Sequence, residues 1–69
     1  MHAIDITPYS NDTVLRLKSV IEITGLSRST IYLYIKLGMF PKPIQLGPRA
    51  VGWKASEIFL WIASRNRAA

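Results

Sequence analysis

Residues 28 to 36 read RSTIYLYIK, and this short run holds much of what the chain can use for chemistry. Arg28 carries a guanidinium whose paired donors match O6 and N7 of guanine in the DNA major groove. Ser29 and Thr30 offer hydroxyls to a base edge or a phosphate, and amides at a helix start favour a phosphate. Tyr32 can place its hydroxyl on a phosphate or its ring against a thymine methyl. Lys36, two turns along, suits backbone phosphate. Downstream, Lys42 and Arg49 add two further cations. All of these are groups that bind a polyanion. The bland alternative is an amphipathic helix whose outer face is merely solvated.

Catalytic chemistry has almost nothing to work with. The carboxylates are Asp5, Asp12, Glu22 and Glu57, two in the N-terminal stretch and two expected on different helices. No acid–base pair or activated nucleophile can be assembled from them, so an enzyme is not expected. Cysteine is absent and the one histidine is His2, which leaves no ligand set for a metal and implies no cofactor. The apolar runs are far shorter than a membrane span and no signal peptide precedes them, so a cytoplasmic protein with no membrane partner is expected.

Charge is uneven along the chain. Nine Lys and Arg oppose four Asp and Glu, for a formal net charge of +5 in 69 residues. No acid occurs between residues 23 and 56, whereas Arg28, Lys36, Lys42, Arg49 and Lys54 all fall there. A small basic domain polarised in this way fits nucleic acid.

The elements that must position these groups can be read from the punctuation. Residues 1–14 have no helical or alternating period and read as a flexible arm ahead of a domain spanning 15–69. Leu17, Val20, Ile21 and Thr24 follow i, i+3, i+4, i+7, which predicts a short helix starting near Arg16–Lys18 and ended by Gly25. Ser27 is a candidate N-cap for a second helix over Arg28–Leu37, with Leu26 and Ile31 placed for a hydrophobic staple and Gly38 as a left-handed stop. Ile31, Tyr34 and Ile35 form its inward stripe. Pro41 and Pro43 favour extended chain. Ile44-Gln45-Leu46, a Gly47-Pro48 turn and Ala50–Trp53 then predict a hairpin with Arg49 at its tip. A last helix over about Ala55–Asn66 places Ile58, Trp61, Ile62 and Arg65 on one face. The expected fold is mainly α with a small β-hairpin: a winged helix-turn-helix with a two-stranded wing and a C-terminal helix.

The stretches RLKSVIEITGLSRSTIY, GMFPKPIQLG and RAVGWKASEIFLWIASR together resemble the AlpA family of phage and prophage regulators, small MerR-like winged-helix proteins related to excisionases. The likeness runs from about Leu15 to Arg65. It implies bacterial, sequence-specific binding of double-stranded DNA, transcriptional control of prophage integrase or excision functions, and no cofactor. Carried over by position, Arg28, Ser29, Thr30 and Tyr32 match the family's recognition helix, Arg49 its wing, and Trp53 and Trp61 its core aromatics. One departure is Phe59-Leu60, where the family pattern usually has a polar residue before the Trp-Ile pair. Phe59 is therefore expected off the core stripe, against Ile4, Ile6 or Tyr9 of the arm or against a second copy. Phe59 and Leu60 are the candidate self-association residues, for a weak homo-oligomer strengthened on DNA.

Two further roles compete with transcriptional regulation. One is an excisionase-like factor that bends attachment-site DNA. The other is a protein-interaction inhibitor acting through Phe59 and the arm. Integrase and RNA polymerase are the protein partners these roles would involve.

Overall fold

The computed structural model describes residues 13–68. Within them β1 (Val14–Leu15) leads into α1 (Leu17–Thr24), α2 (Arg28–Lys36), β2 (Ile44–Gly47), β3 (Ala50–Lys54) and α3 (Ala55–Ala63). The three strands form one antiparallel sheet in the order β1-β3-β2. Val14 pairs with Lys54 and Leu15 with Trp53, while Ile44 pairs with Gly52 and Gln45 with Val51. The expected two-stranded hairpin is thus an incomplete description. A third strand from the domain's first residues covers the open edge of β3, and Val14, counted with the arm in the sequence reading, belongs to it. Most of that arm, including Ile4, Ile6 and Tyr9, lies outside the described residues.

Local signals end α1 and bound α2. Gly25, at φ 75°, terminates α1 and its N–H donates to the Ile21 carbonyl at 2.8 Å, a left-handed stop that glycine adopts without steric cost. Thr24 Oγ1 accepts the Leu26 N–H at 3.2 Å and donates to the Val20 carbonyl at 2.7 Å, which shapes the corner. At the start of α2 the Ser27 hydroxyl accepts the Thr30 N–H at 3.1 Å, the N-cap its position foretold. At its end Gly38, again at φ 75°, donates to the Ile35 carbonyl at 3.1 Å, and Met39 donates to Tyr34 at 2.7 Å. That paired arrangement is a Schellman closure.

The core contains Leu15, Val20, Ile31, Phe40, Trp53, Ala55 and Ile58, so every element except β2 contributes a buried side chain. Packing at β3 is tight on both faces. Trp53 fills the core side with no exposed surface. On the other side a Cβ at Gly52 would lie 2.5 Å from Val14 Cγ1 and 3.0 Å from both the Leu15 carbonyl oxygen and Leu46 Cδ1. The central strand requires glycine there because its neighbours close over it.

Helix α3 is shorter than its periodicity suggests. It stops at Ala63, not near Asn66, because Ser64 and Arg65 turn back on the last turn. Ser64 Oγ donates to the Trp61 carbonyl at 2.7 Å and Arg65 Nε donates to the same oxygen at 3.3 Å. Side chains that satisfy terminal carbonyls compete with continuation of the helix. For Phe59, the expected contacts with Ile4, Ile6 and Tyr9 lie outside the described residues. Phe59 is half-buried and packs against the core cluster, whereas Leu60 beside it is 72% exposed.

Candidate nucleic-acid interface

The outer face of α2 is held up from below by Ile31, which is fully buried, with Tyr34 and Ile35 half-buried on either side. This anchoring leaves Arg28, Ser29, Tyr32, Leu33 and Lys36 exposed. Arg28, Tyr32 and Lys36 are spaced by four, so they line one edge of the helix. The Arg28 guanidinium carbon sits 6.0 Å from the centre of the Tyr32 ring, within reach of a cation–π contact. That contact steadies a long side chain without consuming its hydrogen-bond donors.

Thr30 sits differently from its neighbours. It is half-buried, its amide is taken by the Ser27 cap, and its hydroxyl accepts from Ser27 Oγ at 2.9 Å. Its main work is to shape the helix start. Sequence reasoning grouped it with Arg28, Ser29 and Tyr32; the structure ties it to the cap. Leu33, by contrast, is an exposed apolar residue on the outer face to which the sequence reading assigned no task.

Between α2 and β2 the chain passes through Met39-Phe40-Pro41-Lys42-Pro43, where prolines remove two backbone donors. Two indoles fix this linker from the inside. Trp61 Nε1–H donates to the Met39 carbonyl at 2.7 Å and Trp53 Nε1–H to the Pro41 carbonyl at 2.9 Å. Phe40, buried between these two bonds, meets the Trp61 ring edge-on with centroids 4.8 Å apart. The tryptophans therefore set where the hairpin lies relative to α2. Sequence reasoning had assigned both to the core. Their positioning role follows from a signal that was present: a packed indole N–H needs an acceptor, and a proline-rich linker supplies carbonyls in abundance.

Lys42 is exposed on this linker, and Arg49 is exposed in the Pro48–Arg49 turn at the hairpin tip. An irregularity between Gln45 and Gly47 bends β2 just before that turn, and the Gln45 side-chain amide donates to the Gly47 carbonyl. Arg16, by contrast, is committed to the fold. Its Nε donates to the Val51 carbonyl at 3.0 Å, which ties the start of α1 to the central strand. Among the described residues no group of three or more His, Cys, Asp or Glu side chains could hold a metal ion, and no helix is long and apolar enough to cross a membrane.

The chain is similar to known proteins. Residues 13–66 match the family described as "Prophage CP4-57 regulatory protein (AlpA)". The chain is 44% identical over 56 residues to "Uncharacterized protein ORF88" of Enterobacteria phage P4, an alignment spanning 81% of this chain and 64% of that protein. It is 40% identical over 58 residues to the "DNA-binding transcriptional activator AlpA" of Escherichia coli (strain K12), spanning 75% of this chain and 83% of that protein.

Proposed function

The chain belongs to the AlpA family of prophage regulatory proteins, and from that premise we propose that it is a sequence-specific, double-stranded DNA-binding transcriptional regulator of prophage or mobile-element genes. Its DNA-binding unit is a winged helix-turn-helix: α1, the Gly25-Leu26-Ser27 corner and α2 form the helix pair, and β2–β3 form the wing. It acts by binding in the cytoplasm, not by catalysis. The observation that carries this reading is the outer face of α2, where Arg28, Ser29, Tyr32 and Lys36 are exposed on a helix anchored by Ile31.

An α-helix fits the major groove, and its N-terminal residues read base edges. Arg28, steadied against Tyr32, pairs with a guanine. Ser29 bonds a base edge or the phosphate beside the helix start, and Thr30 contributes through the capped turn that presents them. Lys36 neutralises a phosphate further along. Lys42 and Arg49 add backbone contacts from the linker and the wing tip, held at a set distance from α2 by the Trp53 and Trp61 indole bonds. The name of the E. coli relative, a DNA-binding transcriptional activator, supports the same assignment.

The test is the salt dependence of binding to prophage regulatory DNA and to a random duplex. With three to five phosphates neutralised, log K falls against log salt with a slope of roughly −3 to −4.5. A flat dependence, or equal affinity for both duplexes, would sink the proposal.

A further inference from the structure

Helix α3 carries more apolar surface than its own core requires. Ile58 is fully buried, and Phe59, Trp61 and Ile62 pack partly against the core. Leu60 is left over, 72% exposed, and it is the most exposed large apolar side chain among the described residues. It stands beside an open groove of about 700 Å³ between α3 and the linker, whose walls include Met39, half exposed, and Trp61. That space accommodates more than one incoming side chain.

The groove's charged groups decide what could fill it. Glu57, Leu60, Trp61 and Ser64 all line it, at i, i+3, i+4 and i+7, one stripe along α3, and Arg65 follows at its end. An acid thus stands at the start of the stripe and a cation at its finish, with Leu60 and Trp61 between them, and Lys42 adds a second cation from the linker side of the groove. Arg65 is already held in place: its guanidinium carbon lies 4.4 Å from the Trp61 ring centre, and its NH2 donates to Ser64 Oγ at 3.2 Å. Little side-chain freedom remains to be lost there on binding.

We propose that this stripe is the contact surface for a second copy of the chain, paired antiparallel through α3. A two-fold axis between Leu60 and Trp61 sets each Glu57 opposite the partner's Ser64 and Arg65. Each Leu60 then enters the partner's groove against Trp61. The surface is complementary to itself, which an isologous interface requires. The helix dipoles also run in opposite directions, so they add to the pairing. A chain of net charge +5 repels its copy in free solution. The association is therefore weak without DNA and stronger where phosphates offset the charge.

Charge reversal gives a test that needs no DNA, so its outcome is independent of the DNA-binding reading. Sedimentation is measured for the wild type, Glu57→Arg, Arg65→Glu and an equal mixture of the two variants. The wild type shows a mass that rises with concentration. Each variant alone stays monomeric, because like charges meet twice across the axis. The mixture recovers a dimer, because both pairs are then opposite in sign. Melting followed by circular dichroism checks that each variant is folded. Should either be unfolded, Leu60→Asp takes its place, since a largely exposed leucine can be exchanged without disturbing the core, and loss of self-association is the expected result. A wild type that stays monomeric up to about 1 mM, near the weak limit of specific binding, overturns the proposal. So does a mixture that associates no better than the variants alone.

Discussion

Helices α2 and α3 are the same length, nine residues each, and each buries one isoleucine completely, Ile31 in α2 and Ile58 in α3. Their exposed faces differ in emphasis. That of α2 offers Arg28, Ser29, Tyr32 and Lys36, whereas the most exposed side chain of α3's apolar set is Leu60. Their ends differ as well. Helix α2 is bounded by its own neighbours, Ser27 before it and Gly38 after it. The start of α3 has no side-chain cap; its first amide, on Ala55, donates to the Thr13 carbonyl at 2.8 Å, a partner supplied by a distant part of the chain. A helix whose outer face is solvated cannot lean on that face for stability and draws on local caps. A helix held by long-range contacts can dispense with them.

The change expected to erase this contrast altogether is Gly52→Val. A branched side chain at the centre of β3 collides with Val14, Leu46 and the Leu15 carbonyl, and the backbone oxygen cannot move aside without opening the β1–β3 ladder. Overpacking of this kind typically costs about 1–3 kcal/mol, a large share of the roughly 3–5 kcal/mol that a core of this size rarely exceeds. Thermal unfolding should lose its cooperative transition, and both helices should fray together. A normal melting curve would show that β1 yields easily and is not integral to the domain.

Arg28→Ala sharpens the comparison by touching only the α2 face. Discrimination between target and random duplex should fall by roughly 1–3 kcal/mol if the guanidinium is bidentate to guanine. Arg49→Ala, at the wing tip, should weaken binding to both duplexes more evenly, as phosphate contacts do. Both side chains are exposed, so neither variant should shift the melting temperature appreciably. Binding titrations on two duplexes, with a melting curve for each variant, separate reading from folding.

The smallest effect is expected from Ser27→Ala. It removes the cap from α2 and leaves the Thr30 amide without its acceptor, a loss of about 1 kcal/mol. Hydrogen exchange should accelerate in the first turn of α2 and remain unchanged in α3. Equal acceleration in both would mean that the two helices are not supported independently at their starts.

The readable parts of this molecule are those whose cause lies within a few residues. Gly25, Ser27 and Gly38 act on backbone groups no more than about five positions away, so the α1–α2 corner and both ends of α2 follow from local chemistry. The alternation before Gly47-Pro48 and after Arg49 foretold the hairpin, and the spacing of Ile31, Tyr34 and Ile35 separated the buried face of α2 from the face that carries Arg28 and Tyr32. Strand β1 was not legible. Two residues are too few for a period, and Val14 finds its partner at Lys54, far along the chain. Phe40 was similarly hidden, a single aromatic among prolines whose burial depends on where Trp61 arrives.

By itself, the sequence determined the helix boundaries set by caps, the turn at Arg49, the basic middle of the chain and the residues on each side of α2. All of these are near-neighbour effects or sums over composition, and neither needs the rest of the fold. Only the tertiary structure decided that Gly52 must lack a side chain, that Trp53 and Trp61 hold the linker by its carbonyls, and that Phe59 packs inward while Leu60 remains outside. Those outcomes depend on the distance between atoms that are remote in sequence, a quantity that exists only after the chain has closed on its core.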